Sequence, residues 1–205
     1  RIKGNEAFFR ELNDLALSES RKQFAYLSQD MKQVHVRYEF PFFGDRGLIT
    51  PFIEHSRPYP IKRVLGFVPS RSFTGLVIYA GAGKDNSNVG EAGEGYPAYG
   101  KNVKERIKPC FFPKLYDEDM NLILNPGMCE PEYLMKWGMV AYTDSVDEKA
   151  HLERIGVFPL RTMARGVFGK NSTDILIPND IARKLLSREG NHELLKKGRI
   201  LIIID

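Results

Sequence analysis

The run Phe73-Thr74-Gly75-Leu76-Val77-Ile78-Tyr79 constrains this chain most. Its β-branched and aromatic residues form a nearly unbroken apolar stretch, which predicts a strand covered on both faces. A glycine-rich excursion follows, with Gly81, Gly83, Gly90, Gly93, Gly95 and Gly100 set among Asp, Asn, Ser and Glu. The resulting loop spans 81–106. Loops longer than about 12–15 residues inside a compact domain are usually functional or disordered. The next run, 107–116, carries Pro109 and Pro113, so it belongs at a sheet edge or beside a bulge. Asp117-Glu118-Asp119-Met120-Asn121 then turns the chain into Leu122-Ile123-Leu124, a hairpin of two strands.

Upstream, residues 5–29 predict one helix. Phe8, Phe9, Leu12, Leu15, Leu17, Phe24 and Leu27 return mostly at spacings of three and four, and no Pro interrupts. Val34, Val36, Tyr38 and Phe40 then alternate with Gln33, His35, Arg37 and Glu39, the period of a strand with one wet face. Pro51, Pro58, Pro60 and Pro69 each remove a backbone donor, so 48–70 predicts an extended connector, with a short edge strand within 61–68.

Downstream, 130–136 predicts a helical turn or two, 137–142 a strand, 144–154 a polar helix or loop, and 157–168 a strand with Gly166 as a bulge. At the end, 173–177 predicts a strand. A helix over 181–188 follows, capped by Asn179 or Asp180 and ended by Gly190. A second helix covers 192–197 and stops at Gly198. The last strand, 199–204, is apolar from Ile200 onward and hence interior. The expected class is α+β, a mixed or antiparallel sheet with a long N-terminal helix and short C-terminal helices. Residues 1–70 form a helix–strand segment with its connector, and 71–205 the main domain.

Hydrophobic residues make up 42% of the 205, enough for a sizeable core. The net charge of +4 is scattered among acids rather than gathered into a stripe, which argues against nucleic acid as the partner. No apolar run reaches the ~20 residues a bilayer span needs. The chain begins at Arg1 without Met, as a processed or partial chain does, so any targeting segment is out of view. Cys110 and Cys129 either close one bridge across the Asp117 hairpin or stay as buried thiols. The apolar surroundings of Cys110 favour thiols.

No constellation for catalysis, cofactor or metal emerges. Gly81-Ala82-Gly83-Lys84 follows a strand but lacks the phosphate-loop spacing, and Asp85 stands after the lysine. Asp117, Glu118 and Asp119 are too few for a calcium ion and read as a solvated turn. His35, His55, His151 and His192 lack metal spacing. Ser70, Ser72 and Ser172 lack a nucleophile elbow. Asn171-Ser172-Thr173 matches a glycosylation acceptor, a motif common by chance. Arg161, Arg165 and Lys170 near one strand could meet an anion, though flanking charge more often protects a strand edge.

Several stretches together carry a resemblance. They are 73–78, the Pro109–Asp119 stretch Pro-Cys-Phe-Phe-Pro-Lys-Leu-Tyr-Asp-Glu-Asp, Gly138-Met139-Val140-Ala141-Tyr142, Ile155-Gly156-Val157-Phe158-Pro159-Leu160, and 173–182. Over roughly 73–204 the chain resembles the FlgP-like lipoprotein group of bacterial envelope proteins. Two departures stand out: Tyr79-Ala80-Gly81 replaces the group's acidic-Ala-Arg-Gly continuation, and the 81–106 loop replaces a short connection. The resemblance implies a non-enzymatic periplasmic or outer-membrane-associated protein tied to flagellar assembly or motility.

The expectation is therefore a structural or accessory subunit of an envelope machine, working in a homo- or hetero-oligomer through protein–protein contacts. Membrane association would come through a preceding anchor. Tyr96, Tyr99 and Lys101 in the 81–106 loop are the expected partner contacts, since aromatic side chains dominate interface energies. The alternative is a periplasmic small-ligand-binding or sensory domain, with that loop as a lid and Arg161 or Arg165 meeting an anion.

Overall fold

The computed structural model describes residues 5–80, 107–169 and 171–204. The chain divides into two compact units, 1–54 and 55–205. The fold is α+β, with helices and both mixed and parallel sheets.

The first unit opens with α1 (Glu6–Glu19). Asn5 caps it, its side chain accepting the Phe8 N–H at 3.1 Å. The apolar stripe of α1 meets the segment after the hairpin, where the Phe8 and Phe52 rings stand edge to face at 5.1 Å. Arg46 donates to Glu19 at 2.8 Å nearby, and Ile49 is fully buried. The helix expected over 5–29 stops at Glu19. Ser20 is extended, and β1 (Arg21–Leu27) pairs antiparallel with β2 (Val34–Glu39). Phe24 and Leu27 continue the helical spacing, but cross-strand partners such as Leu27↔Val34 and Ala25↔Val36 outweigh it.

The second unit holds two four-stranded sheets. Its strands are β3 (Leu76–Tyr79), β4 (Leu115–Asp117), β5 (Leu122–Leu124), β6 (Ala141–Thr143), β7 (Leu160–Met163), β8 (Gly166–Phe168), β9 (Asp174–Ile177) and β10 (Ile200–Ile203). Its helices are α2 (Pro131–Trp137), α3 (Leu152–Ile155), α4 (Asn179–Leu186) and α5 (Glu189–Lys196). One sheet is wholly parallel in the order β6-β10-β3-β7. The other is mixed, in the order β5-β4-β9-β8.

The two apolar runs, 73–79 and 199–204, become the paired central strands of the parallel sheet, in register Leu76↔Ile200 to Tyr79↔Ile203. Their residues point alternately to opposite layers. Ile78, Ile200 and Ile202 meet Leu115, Leu124 and Ile175 of the mixed sheet across a residual gap of about 10 Å³. Val77, Leu201 and Ile203 face the other way and cluster with Ile155 of α3. Each such side chain contributes roughly 1.5–3 kcal/mol by leaving water.

Other expectations are corrected in detail. Residues 61–68 contain no strand. The 107–116 run is a strand only at its end, the 137–142 run pairs only from Ala141, and 157–168 splits into β7 and β8. The cap of α4 is Pro178, not Asn179 or Asp180, and Gly190 lies within α5 rather than ending a helix. No described helix is long and apolar enough to cross a membrane.

Candidate interaction surface

The hairpin of the first unit is exposed along its whole length. Every residue of β1 and of β2 is exposed, although the strand at 34–40 was expected to bury one face. Register sorts the side chains into two faces. Phe24 and Tyr26 stand with their cross-strand partners Arg37 and His35. Tyr26 stacks on His35 at 4.9 Å and on Phe24 at 5.9 Å, and the Arg37 guanidinium lies over the Phe24 ring. The opposite face is aliphatic, with Ala25, Leu27, Val34 and Val36. Val34 is 66% and Leu27 58% exposed, so this face has water where a sheet or helix would normally sit. A two-stranded hairpin is marginally stable alone. Its backbone edges and apolar face are suited to receiving another strand or layer.

Several polar side chains of the second unit are engaged within it. Glu148 accepts from Arg161 through both carboxylate oxygens, at 2.9 and 2.6 Å, and from the Tyr79 hydroxyl at 2.9 Å. The Arg161 hydrogen bonds hold the Glu148 carboxyl below its ordinary range. Desolvation, reinforced by Glu148, pushes the Tyr79 phenol up. Arg165 pairs with Glu118 at 3.2 Å. Both arginines that could have met an anion thus face carboxylates, and Lys170 lies outside the described residues.

The acidic turn is solvated at its tip, where Asp119, Met120 and Asn121 are exposed, but not at Asp117. Asp117 is buried and accepts from the Asn121 N–H at 2.7 Å and its side-chain amide at 3.0 Å. Asp119 accepts from the Asn179 amide at 3.0 Å. Among the described residues, no group of three or more His, Cys, Asp or Glu side chains could hold a metal.

The buried polar residues brace the scaffold. Arg154 is 8% exposed and donates to the carbonyls of Gly198, Trp137 and Gly138 at 2.8, 2.8 and 2.7 Å. Desolvation draws its pKa down to about 10, so it stays cationic at neutral pH. Asn191, fully buried, accepts the Phe73 N–H and donates to the Arg71 and Lys184 carbonyls. His55 donates to the Cys129 carbonyl at 2.8 Å and His192 to that of Leu186 at 3.1 Å. Cys110 and Cys129 are free thiols.

Tyr96, Tyr99 and Lys101, the expected partner contacts, lie outside the described residues, as does all of 81–106. The helix-like spacing of Phe24 and Leu27 hides the hairpin in the sequence. The available signal is the aromatic pair Phe24 and Tyr26 at a spacing of two, close before the alternating run 33–40.

Residues 75–205, more than half of the chain, match the family model described as Treponema pallidum Tp0624, second domain. A search of curated proteins finds no match.

Proposed function

The chain belongs to the family of the second domain of Treponema pallidum Tp0624, a bacterial domain family, and from that premise we propose that it is a non-enzymatic structural or accessory subunit of a cell-envelope assembly. Its place would be the periplasm or the periplasmic face of the outer membrane. The resemblance to FlgP-like lipoproteins makes the flagellum the first machine to test. The observation that carries this reading is the β1–β2 hairpin, exposed on both faces with an aliphatic side of Leu27, Val34 and Val36. Such a hairpin gains stability only when a partner covers it.

Tyr96, Tyr99 and Lys101 are proposed as a second set of contacts. Deleting 86–101 would then leave the fold intact and reduce assembly. The reading of a ligand-binding domain draws no support from Arg161 and Arg165, which already hold Glu148 and Glu118.

The test is native electrophoresis of gently solubilised envelopes from the source bacterium. The wild-type chain should migrate in a complex, and the Val34→Ser/Val36→Ser variant as free protein with unchanged melting. Equal retention of that variant in the complex would overturn the reading.

A further inference from the structure

The second unit carries a different exposed feature, at the turn Leu65-Gly66-Phe67. Both apolar side chains are 92% exposed, the highest values among the large hydrophobics of the described residues. Gly66 has φ +101°, a backbone conformation that favours glycine, and nothing lies within 4 Å of where its Cβ would be. The turn is nevertheless held at both ends. The Val64 N–H donates to the Leu186 carbonyl at 3.2 Å, and Arg63 pairs with Glu189. Beyond the tip, the Ser70 hydroxyl donates to the Lys184 carbonyl at 3.0 Å. Two α-helices, α4 and α5, therefore fix the base from which Leu65 and Phe67 project.

The charge around this tip has one sign along the chain. From His55 to Ala80 there is no Asp or Glu, whereas Arg57, Lys62, Arg63 and Arg71 are present. Lys62 and Arg71 are exposed on either side of the tip. Tyr59, 62% exposed, adds an aromatic ring with a polar end to the same segment. Apolar side chains at a projecting tip with flanking cations match the chemistry of a bilayer surface: acyl chains accept Leu and Phe while anionic headgroups attract Lys and Arg.

We propose that the Leu65-Gly66-Phe67 tip inserts into the interfacial region of a bilayer bearing anionic lipids, with Lys62 and Arg71 against the headgroups. The contact would hold the second unit on the membrane independently of any preceding anchor. It does not rest on the hairpin reading, so either can fail alone.

The test is co-sedimentation of the full chain with vesicles of mixed phosphatidylglycerol and phosphatidylcholine, beside vesicles of phosphatidylcholine alone. The wild type should pellet with the anionic vesicles and remain in the supernatant with the zwitterionic ones. Leu65→Ser/Phe67→Ser should weaken the anionic partition about tenfold or more, as expected for withholding two large apolar side chains. A Phe67→Trp variant tests insertion separately: its added emission, above the Trp137 background, should shift to the blue on binding. The proposal is overturned by a wild type that ignores anionic vesicles, as a protein-binding tip would. It is equally overturned by a folded double-serine variant that binds undiminished, or by a bound tryptophan whose emission does not shift.

Discussion

Glu118 and Asn179 hold each other reciprocally: the Glu118 N–H donates to Asn179 Oδ1 at 3.0 Å, and the Asn179 N–H donates to Glu118 Oε2 at 2.9 Å. The first contact ties the β4–β5 turn to the start of α4. The second satisfies a free donor at the start of α4, where Pro178 supplies no side-chain cap. One pair of side chains therefore joins a hairpin to a helix 61 residues away. Replacing either residue with Ala should cost about 1–2 kcal/mol, the range for losing a helix cap. The two variants remove different bonds, since each donor is a backbone N–H that survives replacement of its own side chain, so the double variant should cost about the sum. Urea titrations of the three variants measure this; a double variant costing clearly less than the sum would mean the two bonds form as one unit.

Arg154 should be far less replaceable. Arg154→Met keeps much of the side-chain volume but leaves the carbonyls of Trp137, Gly138 and Gly198 without their donor. Each buried unsatisfied group costs about 1–3 kcal/mol, so a loss of roughly 3 kcal/mol or more is expected. Arg154→Lys should recover only part of it, since an ammonium lacks the fork that spans several acceptors. Chemical denaturation gives the ranking wild type, Lys, Met.

An acid limb of stability should report on Glu148. Its folded carboxyl is depressed, first by the Arg161 hydrogen bond, from an ordinary value of 4.5. A depressed carboxylate stabilises above its unfolded pKa and loses that contribution as pH falls through the folded value. Its share of stability is thus present above about pH 4.5 and declines below. Glu148→Gln should lower stability at neutral pH and flatten the decline in acid. Asp180 and Glu193, depressed by Lys184 and Lys196, leave a remaining slope. Thermal melts across pH 2 to 7, at about unit steps, would compare the two proteins.

The two thiols should differ in reactivity. Cys129 is fully buried, and desolvation pushes its pKa up to about 12. Cys110 is half-buried and raised by the same cause, with the Phe112 backbone hydrogen bond opposing it. Thiolate is the reactive species. Iodoacetamide should therefore modify Cys110 slowly and Cys129 only after denaturant is added. Mass spectrometry of tryptic peptides distinguishes the sites.

The central strands were legible because β3 and β10 are buried on both faces, and burial writes an unbroken apolar run into the chain. The β4–β5 hairpin was legible from its turn residues. What local pattern could not supply was long-range pairing. The stretch after Ser20 carries helix-like spacing, and only β2 makes it a strand. Asn179 has the chemistry of a cap, yet its side chain takes the Glu118 N–H, a partner invisible in sequence. The same holds for Arg161, whose role as a brace depends on Glu148 arriving from another segment. The exposure of the β1–β2 hairpin was not legible either, because alternating apolar residues ordinarily mark a buried face.

Hydrogen exchange at the β1–β2 amides tests the account most directly. In the isolated chain, residues 21–27 and 34–39 should exchange quickly, since an uncovered two-stranded sheet opens readily. In the solubilised native assembly the same amides should be strongly protected, while those of β3 and β10 are protected in both. Equally rapid exchange of the hairpin in the isolated chain and in the assembly would contradict its role as the surface through which this protein is built into a larger structure.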